Sequence, residues 1–208
     1  QILRKRQFVI GSVLFHVGVL IIFFGHLVGL LTPKEFFHAF GISSGAKQVL
    51  AVVAGGIAGV MALAGGVILL NRRLNDPRIR ANSTFGDTAI LVLLVAQLVL
   101  GLGSVIPTLS HLDGSEMLKF MAWAQGIFTF RTGAAAHIVD VHWIYKLHIF
   151  LGLVIFAVFP FTRLVHIVSA PVRFLWRPGY QIVRSRRGAK PTGTGLAPLP
   201  RPGMEPGE

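Results

Sequence analysis

Cysteine is absent from all 208 residues, which removes disulfides, zinc thiolates and iron–sulfur ligation from this chain. Charge is scarce as well, at 13% of positions, and only 8 residues are acidic. Three windows, 8–31, 49–70 and 88–106, hold no charged residue at all, and a fourth, 144–168, holds only Lys146 and Arg163. At ~1.5 Å of rise per residue, each window is long enough to cross ~30 Å of hydrocarbon as a helix. None alternates apolar with polar residues as a barrel strand would, and backbone groups in lipid must be satisfied internally. The expected fold class is therefore all-α, an integral membrane helical bundle with four visible transmembrane helices.

What is present in excess is apolar surface, 53% of positions, and basic charge, a formal +12. The basic residues lie between and after the spans, not in an aromatic-interleaved stripe, so the partner they imply is membrane lipid and not nucleic acid. Fifteen of the 20 Lys and Arg fall in the amino end, in the 71–87 link and from Arg163 onward. The positive-inside rule then puts both termini and residues 71–87 in the cytoplasm, with 32–48 and 107–143 outside. Within 107–143 the stretch "GSEMLKFMAWAQGIFTF" reads as an interfacial helix, or as a loop packed on the bundle. Gly55, Gly59 and Gly66 in the second window permit close approach of a neighbouring helix or of a flat ring system. Residues 188–208, rich in proline and glycine, are expected to be a disordered cytoplasmic tail following a membrane domain over 1–187.

Histidine inside a span is costly and faces a functional interior by default, although a lone one can simply hydrogen-bond a neighbouring helix. The first window holds His16 and His26, and the fourth holds His148 and His166. At ~100° per residue the first two lie within about 80° of each other, and the second two, five turns apart, share one face of a continuous helix. Because the two helices run in opposite directions, His26 is expected to face His148, and His16 to face His166. Two such pairs, without cysteine or carboxylate nearby, suit two bis-histidine b hemes better than zinc or di-iron. Ten residues rise ~15 Å whereas eighteen rise ~27 Å, so tilt, ligands at unequal depth or a bend at Pro160 must absorb the difference. A heme-free anchor or transporter relaying protons through these histidines remains open. His38, His111, His137 and His142 lie in the outer segments and are not counted as ligands.

The chain resembles the gamma subunit of respiratory nitrate reductases across roughly residues 5–187, in four ordered stretches: "LFHVGVLIIFFGHLVGLLTP", "GGVILLNRRLNDPRIRA", "HLDGSEMLKFMAWAQ" and "LHIFLGLVIFAVFPFTRLVHI". The resemblance implies a multi-pass diheme cytochrome b of the cell inner membrane, acting in anaerobic respiration, with His26/His148 on an outer heme and His16/His166 on an inner one. It implies a quinol, menaquinol or ubiquinol, oxidised near the outer heme by Gly25, His26 and Lys47. Electrons would pass to an iron–sulfur beta subunit and then to a molybdenum-bearing alpha subunit that performs the nitrate chemistry. Family members have five spans, so a first span is expected ahead of residue 1. Lys47 could instead be a lysine snorkelling from the start of its span, and Arg163 either a heme-propionate partner or a positive-inside anchor. The alternative function is the cytochrome b of a related sulfite- or heterodisulfide-reductase-like complex.

Overall fold

The computed structural model describes residues 5–162 and 165; His166, Arg163, the expected tail at 188–208 and the boundary at 187 lie outside them. Long and short helices alternate along the chain. Helix α1 (Lys5–Leu31) leads through the short α2 (Lys34–Ala39) into α3 (Ser44–Asn75), and α4 (Pro77–Ala81) joins α3 to α5 (Phe85–Leu109). Helix α6 (Ser115–Phe128) and a 3-10 turn at Ala134–Ile138 separate α5 from α7 (Trp143–Val158). Four stretches, Arg6–Leu31, Ser44–Asn75, Phe85–Leu109 and Trp143–Phe161, are long and apolar enough to cross a membrane, and no strand occurs among the described residues. The all-α membrane bundle expected from the charge-free windows is the fold observed.

Local chemistry sets the helix ends. Asp76 closes α3 and opens α4, its carboxylate accepting from the Arg78 N–H at 3.0 Å, with Pro77 where a missing N–H costs nothing. At α5 the Thr84 hydroxyl accepts from the Asp87 N–H at 3.3 Å while the Asp87 carboxylate accepts from the Thr84 N–H at 3.0 Å. Two N–H groups that no helix carbonyl can reach are thus satisfied reciprocally. Thr84→Ala is expected to cost about 1 kcal/mol, read as a lower apparent melting temperature of the detergent-purified subunit; an unchanged melting temperature would show the cap to be redundant.

The four spans pack in chain order, α1 on α3, α3 on α5 and α5 on α7, leaving α1 and α7 at the two ends of the series. Lipid is as apolar as Leu, so contact between spans rests on small residues that let backbones approach. Ala58, Ala62 and Gly65 of α3 are buried, whereas Leu20, Phe24, Val53, Phe150 and Phe156 are exposed where lipid would lie. A side chain on Gly18 would sit 2.6 Å from the Ala58 carbonyl oxygen and 2.7 Å from the Ala62 nitrogen, and one on Gly65 would run into the α1 backbone at Phe15 and Gly11. Of the three glycines singled out from the sequence, Gly59 and Gly66 do abut neighbouring side chains, but a Cβ on Gly55 would meet nothing within 4 Å.

One expectation changes in the fourth span. The α-helix stops at Val158, Phe159–Phe161 tightens to a 3-10 turn, and Thr162 is extended at φ −120° and ψ 169°. Pro160 is the physical reason, because it donates no N–H and its ring clashes with the carbonyl four residues back. The window 144–168 is therefore not one continuous helix, and the shared face inferred for His148 and His166 from five unbroken turns does not follow.

Candidate functional site

The packed face of α1 carries Gly11, Phe15 and Gly18, all buried against α3. His16 and His26 project away from that seam and are exposed. Their positions are still well defined. Nδ1 of His16 donates to the Ser12 carbonyl at 2.7 Å, and Nδ1 of His26 to the Ile22 carbonyl at 2.8 Å, each one turn back along the helix. A bond of this kind sets the tautomer and leaves the Nε2 lone pair outward, which is how proteins orient imidazoles for metal binding.

From the other end of the packing series, α7 brings His148 to His26. The ring centroids are 6.3 Å apart, with the planes inclined at 40°. An iron bound on opposite sides by two imidazole nitrogens at about 2 Å separates the ring centroids by roughly 6 Å, so the two residues fit a single shared metal such as a heme iron. No group of three or more His, Cys, Asp or Glu gathers among the described residues, so a protein-only metal cage is not formed there. His16 and His26 therefore differ in what faces them: His26 has His148, whereas the expected partner of His16, His166, lies outside the described residues.

At the carboxyl end of α1, Lys47 is only 7% exposed. Its ammonium donates to the Gly29 carbonyl at 2.8 Å and to the Met121 sulfur at 3.2 Å, and lies 3.8 Å from the centre of the Phe37 ring. Lys47 does not snorkel into solvent; it caps the carbonyl end of α1, where a helix has unpaired acceptors and a partial negative charge. Gln125 of α6 does the same, donating to the Leu30 carbonyl at 3.1 Å. Gly29 is four residues from Gly25 and three from His26, so Lys47 touches the face of α1 that carries both. Nothing lies within 4 Å of a Cβ on Gly25, which leaves open space beside His26.

The amphipathic segment after α5 does form a helix. Met121, Ala124 and Gly126 of α6 are buried, and α6 packs on α1 and α3, near the carboxyl end of α1 and the amino end of α3. Its start is held by Asp113, whose carboxylate accepts from the Ser115 hydroxyl at 2.8 Å and the Ser115 N–H at 3.1 Å, keeping that carboxyl below its ordinary range. Fully buried Gln48 donates to the His111 carbonyl, tying α3 to the same loop. Among the histidines between the spans, His142 caps α7, its Nδ1 accepting from the Ile144 N–H at 3.4 Å, and His38 lies 3.4 Å from the Ser44 hydroxyl.

Sequence reasoning passed over Gln97. It is the one amide in the charge-free window 88–106, and its side chain reaches His148: the amide nitrogen donates to the His148 carbonyl at 3.0 Å and lies 3.4 Å from Nε2. A polar residue alone in a span is a signal of function, and it was present in "VAQLVLGLG".

Four apolar spans, with imidazoles meeting between the first and the last, define a membrane protein of the cytochrome b class. The family model for the nitrate reductase gamma subunit matches residues 1–186. The respiratory nitrate reductase 2 gamma chain of Escherichia coli (strain K12) is 50% identical over 187 residues, covering 90% of this chain and 82% of that one. The respiratory nitrate reductase 1 gamma chain of the same organism is 47% identical over 186 residues, covering 89% and 82%. The nitrate reductase gamma chain of Bacillus subtilis (strain 168) is 36% identical over 186 residues, with the same coverage. The chain belongs to the nitrate reductase gamma subunit family. It is a heme-bearing, multi-pass cytochrome b subunit of an oxidoreductase complex that contains other subunits.

Proposed function

We propose that this chain oxidises a membrane quinol, menaquinol or ubiquinol, at its outer side and delivers the electrons to an iron–sulfur beta subunit serving a molybdenum-bearing alpha subunit. The observation that carries the reading is the meeting of His26 and His148 across 6.3 Å from separate spans. His26 and His148 would hold the outer heme, and His16 with His166 the inner one. When bound, two hemes supply one-electron steps across the membrane's thickness. The excess of Lys and Arg in the termini and the 71–87 link supports an inner-membrane location with the carboxyl terminus cytoplasmic. The sulfite- or heterodisulfide-type alternative is weaker, because relatives half identical to this chain bear the nitrate reductase name.

The chain's own residues prepare the quinol end. The Ile22 carbonyl holds the His26 ring through Nδ1, Gly25 leaves room beside it, and Lys47 brings an ammonium to the same turn of α1. Two of the three Lys47 N–H groups are used by Gly29 and Met121, which leaves one to donate to a quinol oxygen. Lys47→Ala removes that donor.

The test uses the purified complex, in which two b hemes per chain are expected from absorbance. In Lys47→Ala both hemes should remain and an artificial donor should still drive nitrate reduction, while quinone-analogue affinity falls about tenfold, the worth of one hydrogen bond that is partly charge-assisted. Unaltered analogue affinity and quinol oxidation would confine Lys47 to capping α1. A heme content below two would overturn the diheme reading.

A further inference from the structure

The third span makes a seat for His148. Gln97 and Gly101 are four residues apart on α5, on one face of the helix. A Cβ on Gly101 would lie 3.1 Å from Cε1 of His148, 3.6 Å from its Nδ1 and 3.8 Å from its Nε2, so the Cε1 edge of the imidazole rests against the glycine where any side chain would displace it. Gln97 closes the seat one turn earlier, with its amide nitrogen 3.0 Å from the His148 carbonyl oxygen. That approach is allowed from the α7 side by Gly152, whose Cβ would stand 3.2 Å from the same amide nitrogen. In a helix the carbonyl of residue 148 already serves the N–H of residue 152, and the amide uses its second lone pair.

We propose that Gln97 and Gly101 are positioning residues for His148, the amide hooking its backbone and the bare glycine setting the plane of its ring, so that the imidazole is aimed at His26. The proposal rests on the reading that His26 and His148 share a heme. The 3.4 Å contact between the Gln97 amide and Nε2 uses the lone pair that a metal would take, so it yields on ligation. The bond to the carbonyl does not compete and persists. A ligand oriented by a neighbouring group in this way binds its metal more tightly than one free to turn, typically by 10- to 100-fold.

The experiment compares the assembled membrane complex with His148→Ala, Gln97→Met and Gly101→Ala versions by redox titration, by low-spin heme electron paramagnetic resonance and by heme transfer to excess apomyoglobin. The signal lost in His148→Ala identifies the heme concerned. Gln97→Met keeps length and bulk but removes the donor, and Gly101→Ala keeps the donor but pushes the ring by a few tenths of an ångström. Both are expected to shift the largest g value and the midpoint potential of that heme and to speed its loss by roughly tenfold or more, with the other heme unmoved. Should Gln97→Met fail to assemble, Gly101→Ala alone decides. If His148→Ala removes one signal and the assembled variants leave that signal and its rate of loss unchanged, the seat is wrong and the shared heme stands. If His148→Ala leaves both signals, the shared heme fails and the seat fails with it.

Discussion

His148→Ala is expected to leave the complex with one b heme per chain instead of two and to abolish quinol-driven nitrate reduction, while an artificial donor that reduces the partner subunits directly still works. On the proposed reading, removing one of the two imidazoles that would hold the heme is a larger change than losing an orienting group, which already costs 10- to 100-fold in metal affinity, so a fall of at least ~100-fold in quinol-driven turnover is expected. The expectation is specific because His148 meets His26 at 6.3 Å from a separate span. His26→Ala should reproduce it. His16→Ala, whose site holds its ring through the Ser12 carbonyl at 2.7 Å, should remove the other heme and leave reduction of the first by quinol intact. Absorbance at the b-heme band before and after quinol addition reads all three. Retention of both hemes in His148→Ala would overturn the pairing.

Gly65→Leu is expected to have the broadest effect of any single substitution outside the histidines, with loss of both hemes and of a stable subunit. A side chain there meets the Phe15 nitrogen and the Gly11 carbonyl oxygen, which are backbone atoms of α1 and cannot rotate away as a side chain can. The two helices must separate, and the buried contact of Phe15 with the Gly66 region goes with them. Overpacking in a core that can adjust costs about 1–3 kcal/mol, and a backbone-to-backbone seam adjusts less, so more than ~3 kcal/mol is expected. Because α1 carries both His16 and His26, its displacement disturbs both proposed ligand positions at once. Gly55→Leu is the control. It sits on the same helix with nothing within 4 Å of its Cβ, and should leave heme content and melting temperature close to the parent. Equal stability of the two variants would refute the seam.

The comparison of Gly65 with Gly55 also marks how far the residues spoke for themselves. Glycine in a span announces a close approach but not which face is approached, since the partner atoms, Phe15 and Gly11, lie about fifty residues away in the chain. Lys47 is a similar case. Its position near the amino end of α3 is legible from charge and spacing, and snorkelling is the alternative the sequence allows, but its bond to Gly29 and its contact with Phe37 come from α1 and α2 folding over it. Gln97 was visible as a lone amide in an apolar window, yet its meaning depends on Gly152 opening the facing helix.

The sequence by itself determined that the chain is helical and carries four segments long and apolar enough to cross a membrane, the first three bounded to within about five residues of the helices observed. Those features follow from consecutive residues, because transfer into hydrocarbon is summed along a segment and helix caps such as Thr84 with Asp87 act within one turn. The break of the last helix at Pro160 is likewise local in origin, one of the ways the sequence offered to absorb the unequal histidine spacing. That His26 faces His148 was expected from opposed helix directions, but only the tertiary structure set their separation at 6.3 Å and decided that Lys47 and Gln125 cap α1 and that small residues of α1 and α3 form the seam. The physical reason is common to them all: lipid attracts every apolar face equally, so the choice of which faces meet falls to close packing and to a few polar side chains whose partners are distant in the chain.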